Sequence, residues 1–223
     1  MSTAKSPRLY FAYGSNLSPT QMALRCPSSV PVGLAHLPGY TFIINARRYA
    51  NVVPNAAAEA PGETTAPIAA VSASEDNPAP DPTHPGVYGV LYTLPPQDEA
   101  VLDRCEGVPH AYQKKEIAVD VVSTPGRQDR GATSPSPDSA QNGLRLQKNT
   151  KVTALVYIDH ERTEPSEPWA EYIDRMNRGV DESSTLFGLP ASYVEQVIRP
   201  YIPSPAAPIV DTTAIEDPFL ERA

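Results

Sequence analysis

Cysteine is scarce in this 223-residue chain, and the two present, Cys26 and Cys105, are too few for a disulfide framework. No apolar run approaches the roughly 20 residues that span a bilayer. Nor does an apolar segment of signal-peptide length precede the first predicted strand, so the expected location is cytoplasmic. The four histidines, His36, His84, His110 and His160, are scattered without metal-ligand spacing. The reading therefore includes no metal and no cofactor. Lys and Arg total 18 against 26 acids, giving a net charge of −8, and nowhere do they cluster. That excludes the basic footprint of a nucleic-acid binder or an anionic-membrane binder.

Proline, by contrast, is abundant at 26 residues and unevenly spread. Residues 54–85 hold seven of them with five acids, no Lys or Arg, and almost no large apolar side chain. Such a stretch cannot bury enough surface to order itself and reads as a disordered insertion. Residues 124–150, with Pro125, Gly126, Pro135 and Pro137 among small polar residues, read the same way, as does the tail 203–223. What remains within 8–202 is one ordinary domain.

Strands are expected at 8–13, 40–45, 87–94, 112–122 and 151–159, with a shorter extended piece at 50–53, all rich in β-branched or aromatic residues. Ile117, Val119 and Val121, and then Val152, Ala154, Val156 and Ile158, alternate as one packed face each. Helices are expected after Pro19, after Pro95, over 168–178 and over 190–199. In the third, Trp169, Tyr172, Ile173 and Met176 form an apolar stripe, with Trp169, Ile173 and Met176 assigned to the core and Gly179 placed to end the helix. Strands and helices mix without regular βαβ spacing, which makes the class α+β.

The most informative stretch is Tyr13-Gly14-Ser15-Asn16-Leu17, between the apolar run Leu9-Tyr10-Phe11-Ala12 and a helix start. Ser18 can cap that helix, Pro19 suits its first position and Gln21 can complete a capping box. Strand, glycine turn and helix N-terminus in succession aim backbone N–H groups into one concavity, which suits an anion. Gly14 leaves room for close approach and tolerates positive φ. Taken alone, the same pattern is also that of an ordinary tight βα turn.

Further motifs give the stretch its context. Tyr88-Gly89-Val90, Leu102-Asp103-Arg104-Cys105-Glu106-Gly107-Val108 with Tyr112, Leu24-Arg25 followed by Pro27-Ser28, Tyr157, Tyr172 before Gly179, and Gly188-Leu189-Pro190 with Tyr193 follow in order. Together with Tyr13 to Leu17 they resemble the γ-glutamylcyclotransferase family over roughly residues 8 to 200, interrupted by the two insertions. The resemblance implies one domain whose small, highly bent mixed sheet closes toward a barrel between flanking helices. It also implies a small γ-glutamyl substrate, bound by Tyr10, Phe11, Ala12, Tyr13, Gly14, Ser15 and Asn16 with Tyr157 and Tyr172, and Glu106 as the catalytic acid and base. It leaves a homodimer open.

In the implied reaction the α-amine of a γ-glutamyl group attacks its own γ-carbonyl, forming 5-oxoproline and expelling an amino acid or amine. The step needs no enzyme nucleophile, metal or organic cofactor. It needs a folded substrate, oxyanion stabilisation and a group that takes a proton from the ammonium and returns one to the leaving amine. Glu106 is expected at a helix C-terminus, where the macrodipole disfavours a carboxylate and raises its proton affinity. On residue type alone a solvated terminal Glu is the commoner reading, and the resemblance at Glu106-Gly107-Val108 reverses it. Arg47-Arg48 reads as a surface pair, with a substrate carboxylate as its alternative partner, and Cys105 as a small helix residue in preference to a reactive thiol. Three alternatives stay open: a cyclotransferase for glutathione or γ-glutamyl amines, one for a secondary metabolite, and a non-catalytic binding module on the same fold.

Overall fold

Five strands close a barrel in the order β1-β5-β2-β6-β7, and the chain folds back to the first through one parallel contact. The computed structural model describes residues 8–55, 86–124, 146–205 and 217–219. The barrel strands are β1 (Arg8–Ala12), β2 (Pro31–Leu37), β5 (Val87–Leu94), β6 (Gln113–Ser123) and β7 (Lys151–Ile158). Neighbours pair antiparallel except β1 with β7, where Tyr10 meets Leu155. A separate hairpin, β3 (Tyr40–Ile44) and β4 (Ala50–Pro54), pairs Tyr40 with Pro54 through Ile44 with Ala50. The helices are α1 (Pro19–Arg25), α2 (Pro96–Cys105), α3 (Ala170–Phe187) and α4 (Ala191–Tyr193), the last continued by a wide turn at Val194–Ile198.

The expected α+β class with a sheet closing toward a barrel is what the chain forms. Closure removes the exposed edges that an open five-stranded sheet would carry. Strand β6 behaves as its alternation predicts, with Val119 and Val121 buried and Ala118 exposed. Strand β7 does not: every residue from Ala154 to Ile158 is buried, because its second face is also covered. Strand β2 was not anticipated. Pro31, Gly33 and His36 interrupt its apolar pattern, yet it is the central partner of both β5 and β6.

Helix α3 departs most from expectation. It runs nine residues past Arg178 to Phe187, and Gly188, at φ 73°, supplies the left-handed C-terminal residue expected of Gly179. Gly179 is mid-helix because a Cβ there would lie 2.9 Å from Leu17 Cβ and 3.3 Å from Ser18 N. It lets the helix lie directly on the turn after β1. Trp169 is not core: it caps α3 at 45% exposure, with the Arg48 guanidinium 4.0 Å above its ring.

Most of the two proline-rich insertions, residues 56–85 and 125–145, lies outside the described residues, as do 206–216 of the tail. Their margins join the fold. Pro54 pairs with Tyr40, Asn149 N donates to Val121 O, and Leu146 packs on the core. Within the tail, Asp217 is buried, counter to the expectation for that segment.

Candidate functional site

Strand β1 ends at Ala12 and passes through Tyr13 and Gly14 into a single 3₁₀ turn, Ser15–Leu17, closed by Leu17 N donating to Gly14 O at 2.9 Å. Ser18 then caps α1 as expected, its Oγ accepting from Gln21 N at 3.0 Å. The Gln21 side chain does something other than complete a capping box. Its Nε2 donates to Ser15 Oγ at 2.7 Å and Asn16 Oδ1 at 3.0 Å, tying the turn to the helix behind it. Gly14 has φ −99°, so its lack of a side chain answers to space and not to a left-handed backbone. A Cβ there would stand 2.9 Å from the Tyr172 hydroxyl and 3.3 Å from Ala50 Cβ.

This turn forms one wall of a partly enclosed cavity of about 50 Å³. Of the residues expected at a site, Tyr10, Tyr13, Gly14, Ser15, Asn16, Glu106, Tyr157 and Tyr172 all line it. Phe11 and Ala12 do not; both are fully buried in the barrel core. Alternation along β1 sends Tyr10 to the cavity and Phe11 to the opposite face.

Glu106 reaches the cavity because α2 ends there. Its backbone N–H closes the last helical turn on Leu102 O at 2.8 Å, and Gly107 at φ 64° turns the chain away. The side chain retains 17% exposure. Burial raises its proton affinity above the ordinary carboxylate value, against the lowering effect of Arg25, Arg175 and Arg47 and with a further raising effect from Asp217. The direction agrees with the sequence argument, but desolvation is the leading cause and the helix dipole is not needed.

Asn16 fixes the geometry around that carboxyl. Its Oδ1 accepts from Gln21 Nε2 and, at 3.2 Å, from Arg25 Nη1, so its Nδ2 faces Tyr10 Oη at 2.9 Å and Glu106 Oε1 at 3.3 Å. Tyr157, on the face of β7 opposite Val156 and Ile158, donates its hydroxyl to Asp103 Oδ1 at 2.7 Å. Tyr172 accepts from Ala50 N at 3.2 Å, and burial pushes its hydroxyl up to about 12. Burial also raises the Cys105 thiol, leaving it protonated and a poor nucleophile near neutrality.

Sequence reasoning missed most of the cavity's charge. Arg25, Arg47 and Arg175 line it, together with Tyr49, Tyr112 and Phe219. Arg47 is half-buried: it sits 5.6 Å from the Tyr112 ring, and its buried Nη1 has no hydrogen-bond partner among the described residues. Arg175 is three residues past Tyr172 on the same face of α3, a spacing that could have suggested it. It is held by Glu171 at 2.8 Å and donates to Ser15 Oγ at 3.2 Å. Nothing in the sequence pointed to Phe219 or Asp217. No group of acidic, histidine or cysteine residues among the described residues could hold a metal ion.

The family model described as gamma-glutamyl cyclotransferase, AIG2-like, matches residues 64–171, a span that includes Glu106 and Tyr157. Among solved structures, an uncharacterized protein from Homo sapiens superposes with TM-score 0.57 at 20% identity, over 96% of this chain and 99% of that one. A structure described as a gamma-glutamyl cyclotransferase gives 0.56 at 19%, over 97% and 99% of the two chains. YkqA from Bacillus subtilis gives 0.53 at 18%, over 92% of this chain and 57% of its own. At these identities the likeness is one of fold. No curated protein sequence matches the chain.

Proposed function

We infer from the match of residues 64–171 that the chain belongs to the γ-glutamyl cyclotransferase, AIG2-like family, and from that premise propose that it converts a γ-glutamyl compound to 5-oxoproline and a free amino acid or amine, with Glu106 as the single acid and base. The observation that carries this reading is the Glu106 carboxyl. It projects into a walled cavity with its proton affinity raised by burial, and its nearest hydrogen-bond partner is a neutral amide.

Glu106 takes a proton from the substrate ammonium, and the freed amine adds to the γ-carbonyl carbon. The new C–N bond places a negative charge on the carbonyl oxygen. Glu106 returns its proton to the leaving nitrogen, the oxyanion collapses with cleavage of that C–N bond, and the regenerated carboxylate takes the second proton from the ring nitrogen and passes it to the departing amine, which leaves as its ammonium. Charge and atoms balance with the carboxylate restored. The substrate's carboxylate has two supports in the cavity: the unpartnered Arg47 Nη1 and the turn from Tyr13 to Asn16. The missing side chain of Gly14 lets the Tyr172 hydroxyl and Ala50 pack against this turn. The tyrosine hydroxyls, all raised by burial, stay neutral; those of Tyr13, Tyr112 and Tyr157 donate to Tyr157 O, Ala50 O and Asp103 Oδ1, whereas Tyr10, which accepts from Asn16, keeps its own proton to donate.

The reading is tested by incubating the purified protein with γ-glutamyl dipeptides, γ-glutamyl-lysine and glutathione and assaying 5-oxoproline. Release from at least one is expected, and the preferred substrate identifies the leaving group. Binding of these compounds without product would instead favour a non-catalytic module.

A further inference from the structure

Arg25 is almost wholly enclosed, its side chain 3% exposed, and the carboxylate that answers it comes from the far end of the chain. Asp217, whose side chain is 0% exposed, accepts from Arg25 Nε at 2.5 Å and Nη2 at 2.8 Å. Its Oδ1 also accepts from Phe219 N at 3.1 Å and lies 4.0 Å from Arg175 Nη1. The Phe219 ring caps the arrangement, 5.6 Å from the Arg25 guanidinium and 5.8 Å from that of Arg175. Arg25 therefore spends its two-pronged edge on Asp217. Its remaining Nη1 points to Asn16 and lies 3.7 Å from Glu106 Oε1.

The Nε–Nη2 edge of a guanidinium holds one carboxylate at a time in a bidentate pair, and Asp217 holds that edge of Arg25. Were Asp217 absent, the carboxylate next in reach of Arg25 is Glu106. Resting on the cyclotransferase reading, we propose that Asp217 is a positioning residue: by occupying the paired edge of Arg25 it denies that edge to Glu106 and leaves the Glu106 carboxyl free to take up and return a proton.

The remaining groups around Glu106 do not duplicate this effect. Arg175 from α3 is already paired with Glu171, and Arg47 from the β3–β4 hairpin lies against Tyr112. Tyr10 from β1, Tyr13 and Tyr112 from the segments beside β1 and β6, Tyr157 from β7 and Tyr172 from α3 all have hydroxyls raised by burial. The thiols of Cys105 and Cys26 are raised likewise, Cys26 to about 12. Asp217 itself is held low: burial would raise it, but Arg25 outweighs that. Glu106, raised by burial and lowered by Arg25, is thus a cavity acid whose proton affinity depends on how Arg25 is held.

The test follows the Glu106 carboxyl carbon by NMR titration, assigned with Glu106→Gln, alongside the acid limb of kcat/KM for 5-oxoproline release. Asp217→Asn should move both to lower pH by about 1 unit or more, the scale of an acid gaining a close guanidinium partner, with a fall in plateau kcat. Asp217→Glu should keep the wild-type values. Should Asp217→Asn fail to fold, the double variant Arg25→Gln/Asp217→Asn removes the buried pair without orphaning a charge, and in it the Glu106 titration should return to the wild-type pH or above. A Glu106 titration unmoved in Asp217→Asn, or shifted downward in the double variant, overturns the proposal. The NMR readout does not require turnover, so a shifted titration in a protein that forms no 5-oxoproline sinks the proposed function and leaves the positioning role standing.

Discussion

Glu106 is retained at a cost to stability. An acid whose folded-state pKa lies above its unfolded value destabilises the fold when ionised. That penalty is absent below the ordinary carboxylate range, near 4.3 for a model Glu, grows as pH rises toward the folded value, and is constant above it. Glu106→Gln keeps the shape and removes the charge. The expected outcome is a higher Tm than wild type at pH 7, with the difference shrinking toward zero as pH falls below about 4. Thermal melts of the two proteins across that range check it, and a Gln variant less stable at pH 7 would mean that the ionised carboxylate is a net stabilising partner of Arg25. Asp217 has the opposite sign: its folded pKa is depressed, so its contribution is present above the ordinary Asp value and is lost as pH falls through the folded one.

At the scale of elements, the site depends on how closely α3 approaches the turn after β1. Helix propensity alone says that Gly179→Ala should stabilise α3 by about 1 kcal/mol. The added Cβ, however, would stand 2.9 Å from Leu17 Cβ and 3.3 Å from a backbone nitrogen that cannot swing aside. Overpacking of this kind costs about 1–3 kcal/mol and is relieved by moving the turn away. The variant is therefore expected to melt below wild type and to raise KM by displacing Ser15 and Asn16. A melting temperature above wild type would show that the contact relaxes freely. This contact also explains why Gly179 misleads as a helix terminator: a glycine serving close approach has the same letter as one serving a left-handed C-cap, which here is Gly188.

For the whole molecule, the ends of the first proline-rich insertion meet at one place. Asn55 N donates to Gly39 O at 2.9 Å, and Val87 pairs with Leu37, so both flank the turn joining β2 to β3. Loop length costs only about 0.6 kcal/mol per doubling. Replacing residues 56–84 with a short Gly/Ser linker should leave Tm nearly unchanged and kcat/KM intact. A large fall in kcat/KM at constant Tm would assign that segment to the site, whereas a collapsed Tm would assign it to the fold.

Much of this architecture was legible in the sequence. Strands β1, β5 and β7 and the capped start of α1 follow from local apolar pattern and capping chemistry, and Glu106 with its turn follows from motifs confined to a few residues each. The rest is set by distance in the chain. Strand β2 has a weak local pattern and is stabilised by two long-range partners. Asp217 sits in a segment whose composition resembles a solvated tail, and its burial depends on Arg25, 192 residues away. Arg47 looks like half of a surface pair until the β3–β4 hairpin carries it to Tyr112.

The most direct measurement is the rate of 5-oxoproline formation from a γ-glutamyl dipeptide by wild-type protein and by Glu106→Gln at matched folding and saturating substrate. The account predicts turnover by the wild type and a fall in kcat of about 10²–10⁴ in the variant, the usual loss on removing a general acid–base group. Equal rates in the two proteins would contradict it.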